Sequence, residues 1–415
     1  MPHLARRFPD TSLLLLLLGS AACGAPRVPD AAAPPATTVI EFEETLIRVD
    51  ARALGEDRVK VFELPDLFQE ANDYLVADDF ANALRLYRFI LENFEDDAYR
   101  RVTTYNSGLA CEGLADWTCA ASAYRQVLAR WPASDDARFA FERLGISLWQ
   151  LGEYEAIPAV VEAQLQRADI SLMQEVDAHL LLGSALLELR RFTEAQVELR
   201  RVLTLNERGL RAWSPGVSPE RERPHEANAP EIARAHFGIG RVYHELFSRI
   251  RLVLPQDRLK NDLLQKTALF GQAQEAYLDA VRTGNPDWAP AGGFMVGQLY
   301  EDFYFDVLAS EVPRNFTPLQ LEVYFEELRR FIRPAMEKAR RIYELNVGLA
   351  QRLGARGSWL EESEEAAHRV RDYVSNQSGW ESEQSLVVAQ LHPHSARFTD
   401  TMQFREDATD QASAP

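Results

Sequence analysis

Small, large apolar and polar positions recur from residue 65 to residue 207 in a register longer than any one helix. Small residues at Ala71, Gly108, Gly145 and Gly183 stand 37, 37 and 38 positions apart. Tyr74, Leu148 and Leu186 follow their anchors by three residues, and Phe80, Trp117, Tyr154 and Phe192 follow by nine. Ala83, Ala120, Ile157 and Ala195 come next, and four residues beyond three of these stand Tyr87, Tyr124 and Leu199. Spacings of three and four put these residues on one helical face, and the break before each aromatic marks a turn. Each period therefore predicts two antiparallel helices. One such pair cannot bury its own apolar face, so neighbouring pairs must stack.

Past residue 207 the pattern loosens. Residues 208–230, with four prolines and little periodicity, read as a surface loop. Over 231–350 the pair pattern returns twice in enlarged form. The first pair opens at Gly240 and Tyr243 and closes at Phe270, Ala273, Tyr277 and Ala280. The second opens at Gly297 and Tyr300 and closes over 334–346. About 20 extra residues lie inside the first of these pairs and are expected to lengthen both of its helices. An insertion from Asp302 to Arg333 enlarges the second. Two consecutive pairs enlarged at the same place put both insertions on one edge of the array. Residues 351–377, centred on Trp359 to Val374, read as a C-terminal capping helix, and 378–415 as a weakly ordered tail. Ahead of the array, residues 39–64 hold two alternating β-branched stretches around "ALGED", the pattern of a small hairpin.

The second period, "YNSGLACEGLADWTCAASAYRQVLARWP" (105–132), carries Gly108, Trp117, Ala120, Tyr124 and Pro132. It resembles the tetratricopeptide repeat (TPR), and the resemblance extends over roughly 65–350: four repeats in 65–207 and two enlarged ones after. It implies an all-α fold, a TPR-type α-solenoid of antiparallel helix pairs that binds proteins. In that family the first helix of each pair lines a concave face. Carried over, this assigns Phe68 and Asn72, Tyr105 and Glu112, Glu142, Ile146 and Trp149, Ser184, and Phe237, Arg241 and His244 to protein binding. The carboxylate clamp of chaperone-binding members is not expected, because Phe68 stands where that clamp has lysine.

The chain opens on Arg6-Arg7, six leucines from Leu13 to Leu18, then small residues up to Cys23. The leucine run is far shorter than the roughly 20 residues of a membrane-crossing helix. Charged, apolar and small regions in that order mark residues 1–22 as an export signal. Ser20-Ala21-Ala22-Cys23 resembles a bacterial lipobox, which implies cleavage before Cys23 and a diacylglyceryl thioether on it. Plain secretion after an Ala-x-Ala-like site is the other reading. Residues 23–38, rich in Pro and Ala, form a tether. The expected location is the cell envelope, lipid-anchored and most consistent with the outer membrane facing the periplasm.

A net charge of −18, or −19 without Arg6, Arg7 and Asp10, argues against nucleic acid and leaves the lipid as the only membrane contact. Three cysteines are present. With Cys23 acylated, Cys111 and Cys119 form either a disulfide across one helical hairpin or two buried thiols. No phosphate loop, dinucleotide fingerprint, nucleophile elbow or metal-binding histidine pair occurs, so neither enzyme activity nor a cofactor or metal is expected. The leading expectation is a membrane-anchored scaffold for other envelope proteins. A binder of small molecules or glycans, using a pocket formed by the two insertions, is the alternative.

Overall fold

The computed structural model describes residues 45–49, 59–218, 223–313, 315–355 and 358–375. The signal, Cys23, the tether, the "ALGED" turn and the tail lie outside these residues. Two strands, β1 (Thr45–Val49) and β2 (Val59–Glu63), pair antiparallel with Thr45 opposite Glu63 and Val49 opposite Val59. All other regular structure among the described residues is helical. The chain divides into two compact units between Asp169 and Ile170.

The N-terminal unit holds α1 (Leu64–Val76), α2 (Phe80–Asn93), α3 (Asp97–Gly113), α4 (Trp117–Arg130), α5 (Asp135–Leu151) and α6 (Ile157–Leu165). A short 3₁₀ turn, Tyr154–Ala156, precedes α6, and Pro158 sits in its first turn. Each helix from α1 to α5 packs on the next, and α1, α3 and α5 also adjoin one another as an inner row. The second unit repeats this plan with α7 (Leu172–Glu188), α8 (Phe192–Ala212), α9 (Pro230–Arg249), α10 (Gln256–Arg282), α11 (Trp288–Leu308), α12 (Pro318–Leu353) and α13 (Ser358–Ser375). Here α7, α9, α11 and α13 form the inner row, so α13 takes the place of a further first helix.

Local sequence explains where these helices start and stop. Asp79, Asp96, Asp116 and Ser134 accept from the backbone N–H three residues on. Ser171 and Thr317 complete capping boxes with Gln174 and Gln320. Such caps contribute about 1 kcal/mol each. The first helices of the four regular pairs are followed by a left-handed residue: Asp78, Ala115, Gly152 and Arg190, with φ of 58°, 56°, 70° and 59°. Each lies seven positions after its anchor, so the turn obeys the same register as the core. Glycine alone adopts this conformation without steric cost, and only the third pair has one.

The core follows the predicted register. Ala83, Ala120, Ile157 and Ala195 are fully buried, as are Tyr87, Tyr124, Val161 and Leu199 four residues later. The anchors are small because of what lies on them. A Cβ at Gly108 would stand 2.5 Å from the Tyr124 ring, at Gly240 2.5 Å from Tyr277, and at Gly297 2.5 Å from Tyr343. Each tyrosine is fully buried against its glycine, which fixes how closely the two helices of a pair approach.

Boundaries differ from expectation in three places. Helix α8 runs on to Ala212, so the loop expected from 208 begins at Trp213. Ala195, Leu199, Val202 and Leu205 keep its buried face continuous, which outweighs the loss of a repeat signature. The extra residues of the first enlarged pair lengthen chiefly α10, at 27 residues, rather than both helices, and the rest form the connection from Ile250 to Pro255. In the second enlarged pair the insertion becomes the N-terminal half of α12, which continues through Pro334 to Leu353 and ends at left-handed Gly354. The capping segment set at 351–377 is therefore narrower, beginning at Ser358.

Both insertions do meet on one edge. Glu311 N–H donates to Leu252 O at 2.9 Å, and Glu311 Oε2 accepts from Leu254 N–H at 2.8 Å. Between them Lys266 is fully buried, its Nζ donating to Phe247 O at 2.7 Å and Ile250 O at 3.1 Å and pairing with Asp306 at 2.7 Å. These contacts satisfy carbonyls at the end of α9. Burial lowers the Lys266 pKa, and Asp306 opposes that shift.

Candidate protein-docking faces

Tyrosine hydroxyls buried under the anchors need acceptors, and the first helices supply them. In the N-terminal unit, Tyr87 donates to Asn72 Oδ1 at 2.7 Å, and Asn106 Nδ2 of α3 donates to the same oxygen at 3.0 Å. One step along, Tyr124 donates to Glu112 Oε1 at 2.8 Å, while Arg143 of α5 pairs with Oε2 at 2.6 Å. Burial pushes the Tyr87 hydroxyl up to about 12 and Tyr124 further still, the latter helped by Glu112. Both stay protonated donors at any physiological pH.

The second unit is built alike. Arg241 of α9 pairs with Glu188 of α7 at 2.8 Å, and His244 Nε2 lies 2.9 Å from Asp302 of α11. His244 Nδ1 is 3.3 Å from the Tyr277 hydroxyl. Glu301 of α11, 5% exposed, accepts from Tyr343 at 2.6 Å and pairs with Arg369 of α13 at 2.5 Å. Within each unit, every step of the inner row is tied by polar side chains. These ties set the spacing of the faces presented by the first helices.

The residues assigned to binding therefore divide. Asn72, Glu112 and Arg241 spend their polar atoms on these ties. Phe237 and His244 are buried, Phe237 among Tyr277, Trp288 and Trp359 with ring centroids 5.2–6.4 Å away. Neither meets a partner without repacking, so for these two the expectation of a free contact residue is corrected. Trp359 of α13 covers part of Phe237, while Phe247, Tyr277 and Asp302 surround His244. Ser184 turns its hydroxyl back to Leu180 O, four residues earlier.

Four residues remain at the surface of the N-terminal unit. Phe68 is half-buried against Tyr87 and Tyr99, Tyr105 against Tyr124, and Trp149 against Tyr154. Glu142 is exposed and lies near enough to Tyr105 to add to the rise that burial gives its pKa. Two further α5 residues join them: Ile146, which the repeat register also puts on the concave face, and Phe139, which it does not. Phe139 is 41% and Ile146 46% exposed on α5, and with Glu142 and Trp149 they form one stripe at helical spacing. Asn106, Arg143, Glu188, Glu301, Asp302 and Arg369 were also missed. Their signal was a polar residue set into the otherwise apolar face of a first helix.

Cys111 and Cys119 are joined as a disulfide across the α3–α4 turn, Cα atoms 5.7 Å apart. Among the described residues, no group of three histidine, cysteine or acidic side chains converges on a metal-sized site, and no helix is long and apolar enough to cross a membrane. Where the two insertions meet, Lys266 is fully buried, and the ring of Phe270 packs edge to face on those of Tyr300 and Phe303.

No family model and no curated protein matches the chain. Among solved structures, a tetratricopeptide repeat protein from Parabacteroides merdae ATCC 43184 is similar at 12% identity and TM-score 0.35, over 74% of this chain and 98% of that one. The C-terminal part of a TPR repeat-containing protein from Cytophaga hutchinsonii is similar at 11% identity and TM-score 0.36, over 80% and 98%.

Proposed function

We propose that this chain is a non-enzymatic scaffold lipoprotein of the bacterial cell envelope. Cys23 holds it at the outer membrane facing the periplasm, and its first-helix faces dock segments of other envelope proteins. The observation that carries this reading is the inner row α1–α3–α5. Its helices are locked in register by Asn72–Asn106 and Glu112–Arg143, yet they leave Phe139, Ile146 and part of Trp149 toward solvent. A pre-organised row of apolar and aromatic anchors lowers the ordering cost of binding an extended or helical segment. Glu142 on the same stripe, with the net charge of −18, favours a segment carrying basic residues beside its apolar ones.

The anchor is supported by the Leu13–Leu18 run, the small residues up to Cys23 and the tether after it. A lipid-modified cysteine binds a bilayer through many buried methylenes at about 0.8 kcal/mol each. The test is membrane fractionation of wild type and Cys23→Ala, with mass spectrometry of the N-terminal peptide. A diacylated Cys23, and release of the variant from membranes, is the expected result. An unmodified Cys23 in a soluble fraction overturns the anchor and leaves a secreted protein.

A further inference from the structure

We propose that His225 is a pH-sensitive clamp: protonated, it ties the segment Arg223–Ala229 to α7 and α9, and neutral, it loosens that tie and leaves the segment held only by its neutral hydrogen bonds and packing. The backbone places the ring with little freedom. His225 N–H donates to Asn206 Oδ1 at 2.9 Å, and His225 O accepts from Asn206 Nδ2 at 3.0 Å, so α8 holds the residue by both peptide groups. Pro224 beside it is buried, and Asn228 O accepts from Asn285 at 3.0 Å.

The ring then lies between two carboxylates. Nε2 is 3.2 Å from Asp177 Oδ1 on α7, and Nδ1 is 3.4 Å from Glu231 Oε2 on α9. A neutral imidazole has one N–H and one lone pair, so one of its nitrogens would face a carboxylate with the wrong polarity. Only the imidazolium can donate to Asp177 and at the same time present positive charge to Glu231. Among the described residues, no other histidine has a carboxylate at each ring nitrogen. His179 and His236 each pair with one acid, and His244 faces one acid and the Tyr277 hydroxyl.

The surrounding charges favour the same state. From α7 comes Asp177, and from α9 comes Glu231 with Arg234 within Coulombic reach of it. The contribution of α8, Asn206, is neutral. On the segment itself Arg223 and Glu226 pair with each other at 2.9 Å. Burial alone would lower the pKa of His225, but the Asp177 and Glu231 carboxylates prevail and raise it. A raised folded value means the tie is fully present below the ordinary histidine pKa and is lost as pH rises through the folded one. Deprotonation then leaves two carboxylates facing each other across a neutral ring.

The test is amide hydrogen exchange of the peptide covering 223–229 in the full chain, at about pH 6 and about pH 8 and corrected for intrinsic exchange. Protection is expected to fall roughly 3- to 30-fold at the higher pH, the range of two part-buried charge pairs. In His225→Gln it should be low at both. Protection that is equal at the two pH values in wild type, or that keeps its pH dependence in His225→Gln, overturns the clamp. Should that variant fail to fold, Asp177→Asn decides: release at a lower pH than wild type supports the clamp, and an unmoved release overturns it.

Discussion

Replacing Gly240 with alanine probes directly why the anchors are small. The added Cβ would stand 2.5, 2.6 and 2.9 Å from Cδ1, Cε1 and Cγ of Tyr277, below any ordinary carbon contact. The ring cannot swing aside, because it is fully buried and its hydroxyl is held by His244. Overpacking of this kind costs about 1–3 kcal/mol, while alanine gains about 1 kcal/mol over glycine in a helix. With three ring atoms too close, the upper half of that cost applies, for a net loss of about 1–2 kcal/mol. Gly271 on the partner helix α10 supplies the control, since a Cβ there meets nothing within 4 Å. Gly271→Ala should stabilise by about 1 kcal/mol through propensity alone. For a unit of this size each kcal/mol moves the melting temperature by about 2–4 °C. Thermal melts followed by circular dichroism should therefore shift in opposite directions, down for Gly240→Ala and up for Gly271→Ala. If both variants rise together, the close packing of tyrosine on glycine is not what selects the small anchor.

Ala115→Gly should stabilise the N-terminal unit by about 0.5 kcal/mol and Gly152→Ala destabilise it by about 1 kcal/mol, because both residues are left-handed; urea melts of the two variants check this. Arg369→Ala leaves Glu301 buried with only Tyr343 as donor. Since Arg369 is itself half exposed, the loss should be about 1–2 kcal/mol, read as faster amide exchange in α13 with little change in α7. A thiol assay on denatured, unreduced protein should find neither Cys111 nor Cys119 free. Reducing that short loop should cost about 2 kcal/mol in a melt run with dithiothreitol.

How much of this was legible from sequence varies with the physics involved. The four regular pairs were readable because packing repeats: each anchor, each turn aromatic and each second-helix apolar residue faces the same neighbours in every period, so the 37-residue register survives. The enlarged pairs were readable in number but not in detail. Continuous burial carried α8 past its last signature residue, and the α10 extension had no repeated partner to mark it. The candidate face was less legible. Asn72, Glu112 and Arg241 occupy groove positions by register, yet buried tyrosine hydroxyls and neighbouring helices claim their polar atoms. Those partners lie 12 to 53 residues away, a distance no local pattern encodes. Phe237 and His244 were misplaced for a related reason: Trp359 beside Phe237, and Tyr277 and Asp302 beside His244, come from helices that no local motif places there. Phe139 escaped notice because an isolated apolar residue on a helix looks the same whether it faces core or solvent.

The most direct test of docking by the inner row is photocrosslinking in intact cells, with the reactive residue at Ile146 on the exposed α5 stripe. A second probe at Gln126, exposed on α4, reports contacts that do not depend on that face. Docking on the first helices predicts one defined protein captured at Ile146, absent at Gln126, and lost when Phe139→Asp is added. Equal capture at the two positions, or capture indifferent to Phe139→Asp, would contradict it.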